Sequence, residues 1–160
     1  MPVYLFTFHA YGTWMPDRPR GYVRRGEGIL SPDNEMADMY RRRAEEPHAI
    51  FSEAIQRALI DEALTAGEKQ GFDVHFIATE ITHVHVLVSW RSDKPWKTVR
   101  TGLRQSLSRR LNRDFKRREW FVDGASRKRV KDREHFDYLI EKYLPAHSGW
   151  KWSREKGCFR

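Results

Sequence analysis

The chain has 160 residues, 30 Lys+Arg against 22 Asp+Glu, and a formal net charge of +8. That length suits one domain with a real core, and 39% hydrophobic with 13% aromatic residues excludes a disordered chain. The single cysteine, Cys158, excludes an intramolecular disulfide framework and a cysteine-rich zinc site, and fits a reducing cytosol.

No apolar run approaches the roughly 20 residues needed to cross a bilayer. The opening stretch MPVYLFTFHAYGTW lacks the basic lead and small-residue cleavage site of a signal peptide. The expectation is a cytoplasmic protein with no membrane partner. A pI near 9.8 points to a polyanionic partner, nucleic acid, without saying whether it is held or cut. The charge is uneven. Residues 91–133 carry 16 Lys/Arg and 5 Asp/Glu, whereas residues 32–80 carry 5 Lys/Arg and 11 Asp/Glu. The basic run is one-signed and flanked by Trp96, Trp120 and Phe121, which suits a phosphate-contacting surface better than an ordinary solvated helix face.

In chain order, Val3–His9 is β-branched and aromatic and reads as a strand. The Gly/Pro/Arg-rich stretch that follows, AYGTWMPDRPRGYVRRGEG, reads as a loop. Ser31-Pro32-Asp33 resembles a helix start, with a short helix over Glu35–Glu46 ended by Pro47. His48–Gln70 is the best amphipathic helix, with Phe51, Ile55, Leu59 and Ala63 four apart and Gly71 as its stop. Phe72–Glu80 and Thr82–Trp90 read as strands. Trp96–Lys116 reads as a basic helix with Val99, Leu103, Leu107 and Leu111 on its inner stripe. Asp123-Gly124 is a hairpin-turn signal within Glu119–Arg133. Glu134–Leu144 predicts a last helix, which Pro145 stops or kinks. The pattern predicts a single α+β domain over residues 1–160. Its type is ferredoxin-like split βαβ, an antiparallel sheet with helices mainly on one face. A loop and short helix are inserted over about 10–47, and a basic aromatic tail spans about 148–160. The same fold serves many functions, so it decides none.

His83-Val84-His85 falls inside a predicted strand. Period-two alternation puts His83, His85, Leu87 and Ser89 on one face and Val84, Val86, Val88 and Trp90 on the other. Two imidazoles side by side suit one metal ion, and they equally suit two half-buried, hydrogen-bonded histidines. His75, in the neighbouring strand, reads as a packing residue. A hard cation wants a third ligand and an acidic or phosphate oxygen. Tyr143 and His147 are four apart, so they share a face if the last helix persists. A phenol beside a metal-bound phosphate is a candidate nucleophile, and a core aromatic is the commoner role of such a tyrosine.

The strand HVHVLV resembles the His-hydrophobe-His strand of HUH endonucleases. More closely, the chain is similar to the single-tyrosine transposases of insertion sequence 200-like elements and their REP-associated relatives. Four features in order carry the likeness. An opening strand runs into Tyr11-Gly12-Thr13-Trp14 and Asp17-Arg18-Pro19-Arg20-Gly21. The histidine strand follows a long helix and a strand. A basic helix comes next, and a tyrosine-bearing helix with a polar residue four positions on comes last.

The resemblance implies His83, His85 and His147 as ligands of Mg²⁺ or Mn²⁺ and Tyr143 as the nucleophile. His147 stands where relatives place Gln or Asn. It implies a bacterial mobile-element enzyme that cleaves and rejoins single-stranded DNA near imperfect hairpins through a 5′-phosphotyrosine. Its implied DNA surface comprises Arg100, Arg104, Arg109, Arg110, Arg113, Arg127, Lys128, Arg129 and Lys131. A nucleoid-associated location and a homodimer are further expectations. Thr82 departs from the Asn common before the histidine pair, Pro145 interrupts the Tyr143–His147 spacing, and Tyr138 is a second tyrosine expected on another face. The alternative from a different class is a non-catalytic single-stranded DNA or RNA binding module on the same fold.

Overall fold

The structure is a computed structural model that describes residues 1–13, 22–24, 28–30 and 48–160. Its main sheet has six strands, all antiparallel. In chain order the strands are β1 (Val3–His9), β2 (Tyr22–Arg24), β3 (Gly28–Leu30), β4 (Asp73–Thr79), β5 (His83–Ser89), β6 (Ser126–Arg129), β7 (Lys151–Ser153) and β8 (Gly157–Phe159). The helices are α1 (Glu53–Gln70), α2 (Trp96–Asp114) and α3 (Arg133–Tyr138), the last continuing into a π-helical turn over Leu139–Tyr143. The sheet order is β6-β1-β5-β4-β7-β8. Its first four strands, with α1 and α2 as crossovers, make the ferredoxin-like arrangement. β7 and β8 extend it at one edge.

α1 begins at Glu53 rather than His48. The Ser52 side chain accepts from the Ile55 N–H as its cap, while Ala49 and Phe51 donate to the carbonyls of Tyr11 and Ile81 and so hold the preceding residues outside the helix. Gly71 closes α1 at φ 79°, a left-handed position that glycine adopts without cost. α1 and α2 lie on one face of the sheet. Leu59, Ala63, Leu103 and Leu107 are buried there against Phe6, Ile77, Val84 and Val86. Each large side chain buried this way stabilises the fold by about 1.5–3 kcal/mol.

The opposite face carries a second, smaller core. Leu5, Phe76, Ala78 and Leu87 of the sheet pack against Leu139 and Leu144, so α3 and its π-helical turn cover the sheet from the other side. This face holds the candidate site.

Three sequence expectations are corrected. Tyr22–Arg24 and Gly28–Leu30 pair as a small antiparallel ribbon inside the expected loop, in keeping with the strand preference of Tyr, Val, Ile and Leu. The Asp123-Gly124 signal makes no hairpin. Phe121 bridges Ala10 and Ser126–Arg129 pairs with Tyr4–Thr7, so both arms add to the free edge of β1. The residues expected as a basic aromatic tail do not trail away: Lys151–Ser153 and Gly157–Phe159 form a hairpin on β4. The expected Ser31-Pro32-Asp33 helix start, the Glu35–Glu46 helix and the Trp14 and Asp17–Gly21 motif residues lie outside the described residues.

Candidate metal centre and its tyrosine

β5 presents His83 and His85 on the α3 side of the sheet, as alternation requires, with ring centroids 4.7 Å apart. β1 stands beside it in register, Thr7 opposite His85 and His9 opposite His83. Thr7 Oγ1 lies 2.7 Å from His85 Nδ1, and the buried His85 Nε2 has no hydrogen-bond partner. Thr82 Oγ1 lies 2.9 Å from His83 Nδ1.

The third imidazole arrives from the chain end. Leu144 N–H donates to the Leu139 carbonyl, five residues back. Pro145 has no N–H to continue the helix, and the chain turns so that His147 faces the pair. Its Nδ1 lies 3.1 and 3.0 Å from the Tyr143 and Leu144 carbonyls. Carbonyls only accept, so Nδ1 carries a hydrogen, and in the neutral ring the lone pair is then on Nε2. The His147 ring is 4.6 Å from His85 and 5.7 Å from His83, and one nitrogen from each of the three lies within 4.8 Å of the others.

Thr7, His85, Ala78 and Lys151 form one row across β1, β5, β4 and β7, and Leu144 is buried in the same small core as Ala78. Tyr143 then sits beside the cluster, its ring 5.6 Å from His85 and 5.2 Å from His147, and 38% exposed. Tyr138 is not on another face. The i→i+5 bonding of the π-helical turn brings residues five apart together, and the two tyrosines stack at 6.4 Å.

Burial, and then the charges that His83, His147 and His9 carry when protonated, push His85 down to about 3. It is therefore neutral, with a lone pair to offer, at ordinary pH. An orphaned buried nitrogen facing two further imidazoles fits a divalent ion, and a three-nitrogen set suits Mn²⁺ better than Mg²⁺. Glu80 stands next to the cluster, and its carboxylate is taken by Ser148 N–H at 2.8 Å and Ser148 Oγ at 2.7 Å. Burial pushes that carboxyl up, but the Ser148 bonds and the nearby His147 and His83 hold it below the usual range. His75 bonds Ser89 at 2.7 Å and packs on Phe136, the structural role read for it.

The basic segment divides around the sheet. α2 lies on the face opposite the histidines. Arg100 and Arg127 both stack on Trp96, at 4.9 and 4.1 Å, and Arg100 also donates to the Ala125 carbonyl at 2.8 Å. Burial and the charges of Arg127 and Arg104 lower the Arg100 pKa, a sign of crowded cations. Arg104 reaches the Phe121 carbonyl and pairs with Asp123 at 3.5 Å. Arg110 is held by Asp61 at 2.7 Å, Glu62 at 3.5 Å and Asp114 at 2.5 Å, which ties α2 to α1. Arg113 pairs with Asp114 at 2.7 Å, and Arg109 is exposed. Of the exposed β6 residues, Lys128 shares the histidine face with its partner Leu5, and Arg129 shares the helix face with Tyr4. Lys131 is exposed and its N–H donates to His135 Nδ1 at 3.1 Å.

Sequence reasoning missed Thr7, His9, Glu80 and Lys151. Thr7 and His9 were visible as polar residues at alternate positions of an apolar strand. Glu80 and Lys151 had no such signal.

No protein-family model matches the sequence, and no curated protein matches it. The fold does match solved structures. A REP-associated tyrosine transposase bound to a REP hairpin superimposes with a TM-score of 0.51 at 5% identity, over 89% of this chain and 64% of that one. A Deinococcus radiodurans R1 protein described as a transposase matches with a TM-score of 0.53 at 13% identity, over 92% of each chain. The chain thus shares the fold of these two proteins. Among the described residues, no helix is long and apolar enough to cross a membrane.

Proposed function

We propose that this chain is a metal-dependent single-stranded DNA endonuclease and strand transferase, a transposase or a domesticated relative of one. In this reading it acts at hairpin-containing repeats through a 5′-phosphotyrosine intermediate. The observation that carries it is the convergence of Tyr143 with His83, His85 and His147, contributed by a mid-chain strand and by the turn after the last helix. A module that only holds nucleic acid has no use for a phenol beside a buried, unpartnered imidazole nitrogen. The shared fold of a transposase that was solved bound to a REP hairpin supports the choice of substrate.

His83, His85 and His147 would hold a divalent ion, Mn²⁺ or Mg²⁺, which would polarise a phosphoryl oxygen as a Lewis acid. Tyr143 supplies the nucleophile. Its oxygen, having lost its proton to solvent, bonds to phosphorus as the bond from phosphorus to the 3′ oxygen breaks. The 3′ oxygen takes up a proton and leaves as a hydroxyl. The phosphotyrosine conserves the phosphodiester energy, so rejoining needs no nucleotide cofactor. Tyr143 lies beside the cluster of its own chain, which favours action within one subunit even if the protein is a homodimer. Arg100, Arg127, Lys128, Arg129 and Lys131 would hold phosphates along the β6 edge, with Arg104 and Arg109 extending that surface on α2.

The test is a labelled hairpin strand incubated with Mn²⁺ and run on a denaturing gel. A protein–DNA adduct is expected from the native chain. Tyr143→Phe should abolish it and leave binding nearly intact, and His83→Ala or His85→Ala should remove it while the chain still folds. Adduct that persists in Tyr143→Phe and vanishes in Tyr138→Phe would move the nucleophile to Tyr138. Absence of any adduct from the native chain would leave a nucleic-acid-binding module.

A further inference from the structure

One buried charge beside the cluster has no part in that chemistry. Lys151 is only 5% exposed, although lysine is almost never fully buried without a partner. It stands in the cross-sheet row of Thr7, His85 and Ala78, on the histidine face. Its Nζ lies 5.6 Å from the centre of the Phe159 ring, and an apolar side chain could occupy this position without the cost of desolvating an ammonium. What the ammonium adds is directional. Nζ donates to the His147 carbonyl at 2.7 Å and to the Gly149 carbonyl at 3.0 Å. Burial lowers its pKa, and Glu80 opposes that shift.

The strap from His147 to Trp150 is fastened at every residue. The His147 ring bonds back to Tyr143 and Leu144, Ser148 bonds Glu80, and Gly149 N–H donates to the Thr79 carbonyl. Trp150 N–H donates to Gln56 Oε1. The His147 N–H donates to the Leu144 carbonyl within the turn, and Lys151 reaches the His147 carbonyl from β7. The ring's own bonds set its tautomer, and the main-chain grip sets where the ring stands relative to β5.

We propose that Lys151 is a positioning residue that holds His147 in place as the third metal ligand. The proposal rests on the reading of His83, His85 and His147 as a metal centre. Partners behind metal ligands typically change affinity about 10- to 100-fold when removed.

The experiment titrates the full chain with Mn²⁺, without DNA, and follows the free ion by electron paramagnetic resonance. Lys151→Met should weaken Mn²⁺ binding about 10- to 100-fold, close to the loss from His147→Ala. The double variant should bind no more weakly than His147→Ala alone, because both changes remove the same ligand. Lys151→Arg, which can reach both carbonyls, should recover most of the affinity. Should Lys151→Met fail to fold, Lys151→Gln replaces it, because the shorter amide cannot span both carbonyls. Native affinity in Lys151→Met or Lys151→Gln, or losses that multiply in the double variant, would overturn the proposal. A native chain that takes up no Mn²⁺ would instead overturn the metal centre itself.

Discussion

His85 is 5% exposed, with Thr7 on one ring nitrogen and no hydrogen bond on the other. An imidazole in that position resists protonation down to about 3, whereas an unfolded histidine takes a proton near 6.5. Between those values the unfolded chain binds more protons, so stability must rise with pH through that window and fall as the solution is acidified. The expected outcome is a thermal midpoint of the metal-free chain that drops between pH 6.5 and about 3. His85→Gln should lack that component, and an identical pH profile in the variant would count against it. At this scale the sequence was a good guide to β5, because alternation is local and His83 and His85 had to share a face. It misplaced Tyr138, because the 3.6-residue period assumed for the last helix gives way to an i→i+5 turn that no local pattern announced.

The elements that bring His147 to β5 are the π-helical turn, the stop at Pro145 and the hairpin of β7 and β8. Gly149 is the point of closest approach in this arrangement. A Cβ there would collide with the Thr79 carbonyl oxygen and lie 2.7 Å from Gln56 Oε1. Neither neighbour can retreat easily, since Thr79 is in β4 and Gln56 Oε1 accepts from both Thr79 Oγ1 and Trp150 N–H. Gly149→Ala should therefore cost about 1–3 kcal/mol of stability, read from denaturant unfolding, and weaken Mn²⁺ binding with it. A variant as stable as the native chain would show that the strap has slack. The C-terminal residues looked like a basic, aromatic tail because strands of three residues carry too short an alternation to recognise. Their place was decided by β4, whose outer edge needed a partner.

Over the whole molecule, the +8 charge does not act as one surface. Arg110 is committed to three carboxylates between α1 and α2, while Arg100 and Arg127 crowd over one indole at the β6 side of the sheet. Two cations placed side by side are relieved by a phosphate between them. Replacing Arg100 and Arg127 with Ala should lower the slope of log affinity against log salt by about one to two for a hairpin strand. Arg110→Ala should leave that slope nearly unchanged and lower the thermal midpoint. An unchanged slope in the first variant would remove the β6 side from the DNA surface.

The apolar periods of two and about four, the caps and the turn residues are properties of short stretches. For that reason strands β1, β4 and β5, the two long helices, the paired histidines and the basic run were legible in the sequence alone. Strand order is a property of distant segments competing for the same edges. Only once β5 lies between β1 and β4, and β7 beyond β4, do Thr7, His85, Ala78 and Lys151 fall into one row. That row, with the turn after α3 laid across it, is what brings a third imidazole and a phenol to the first two.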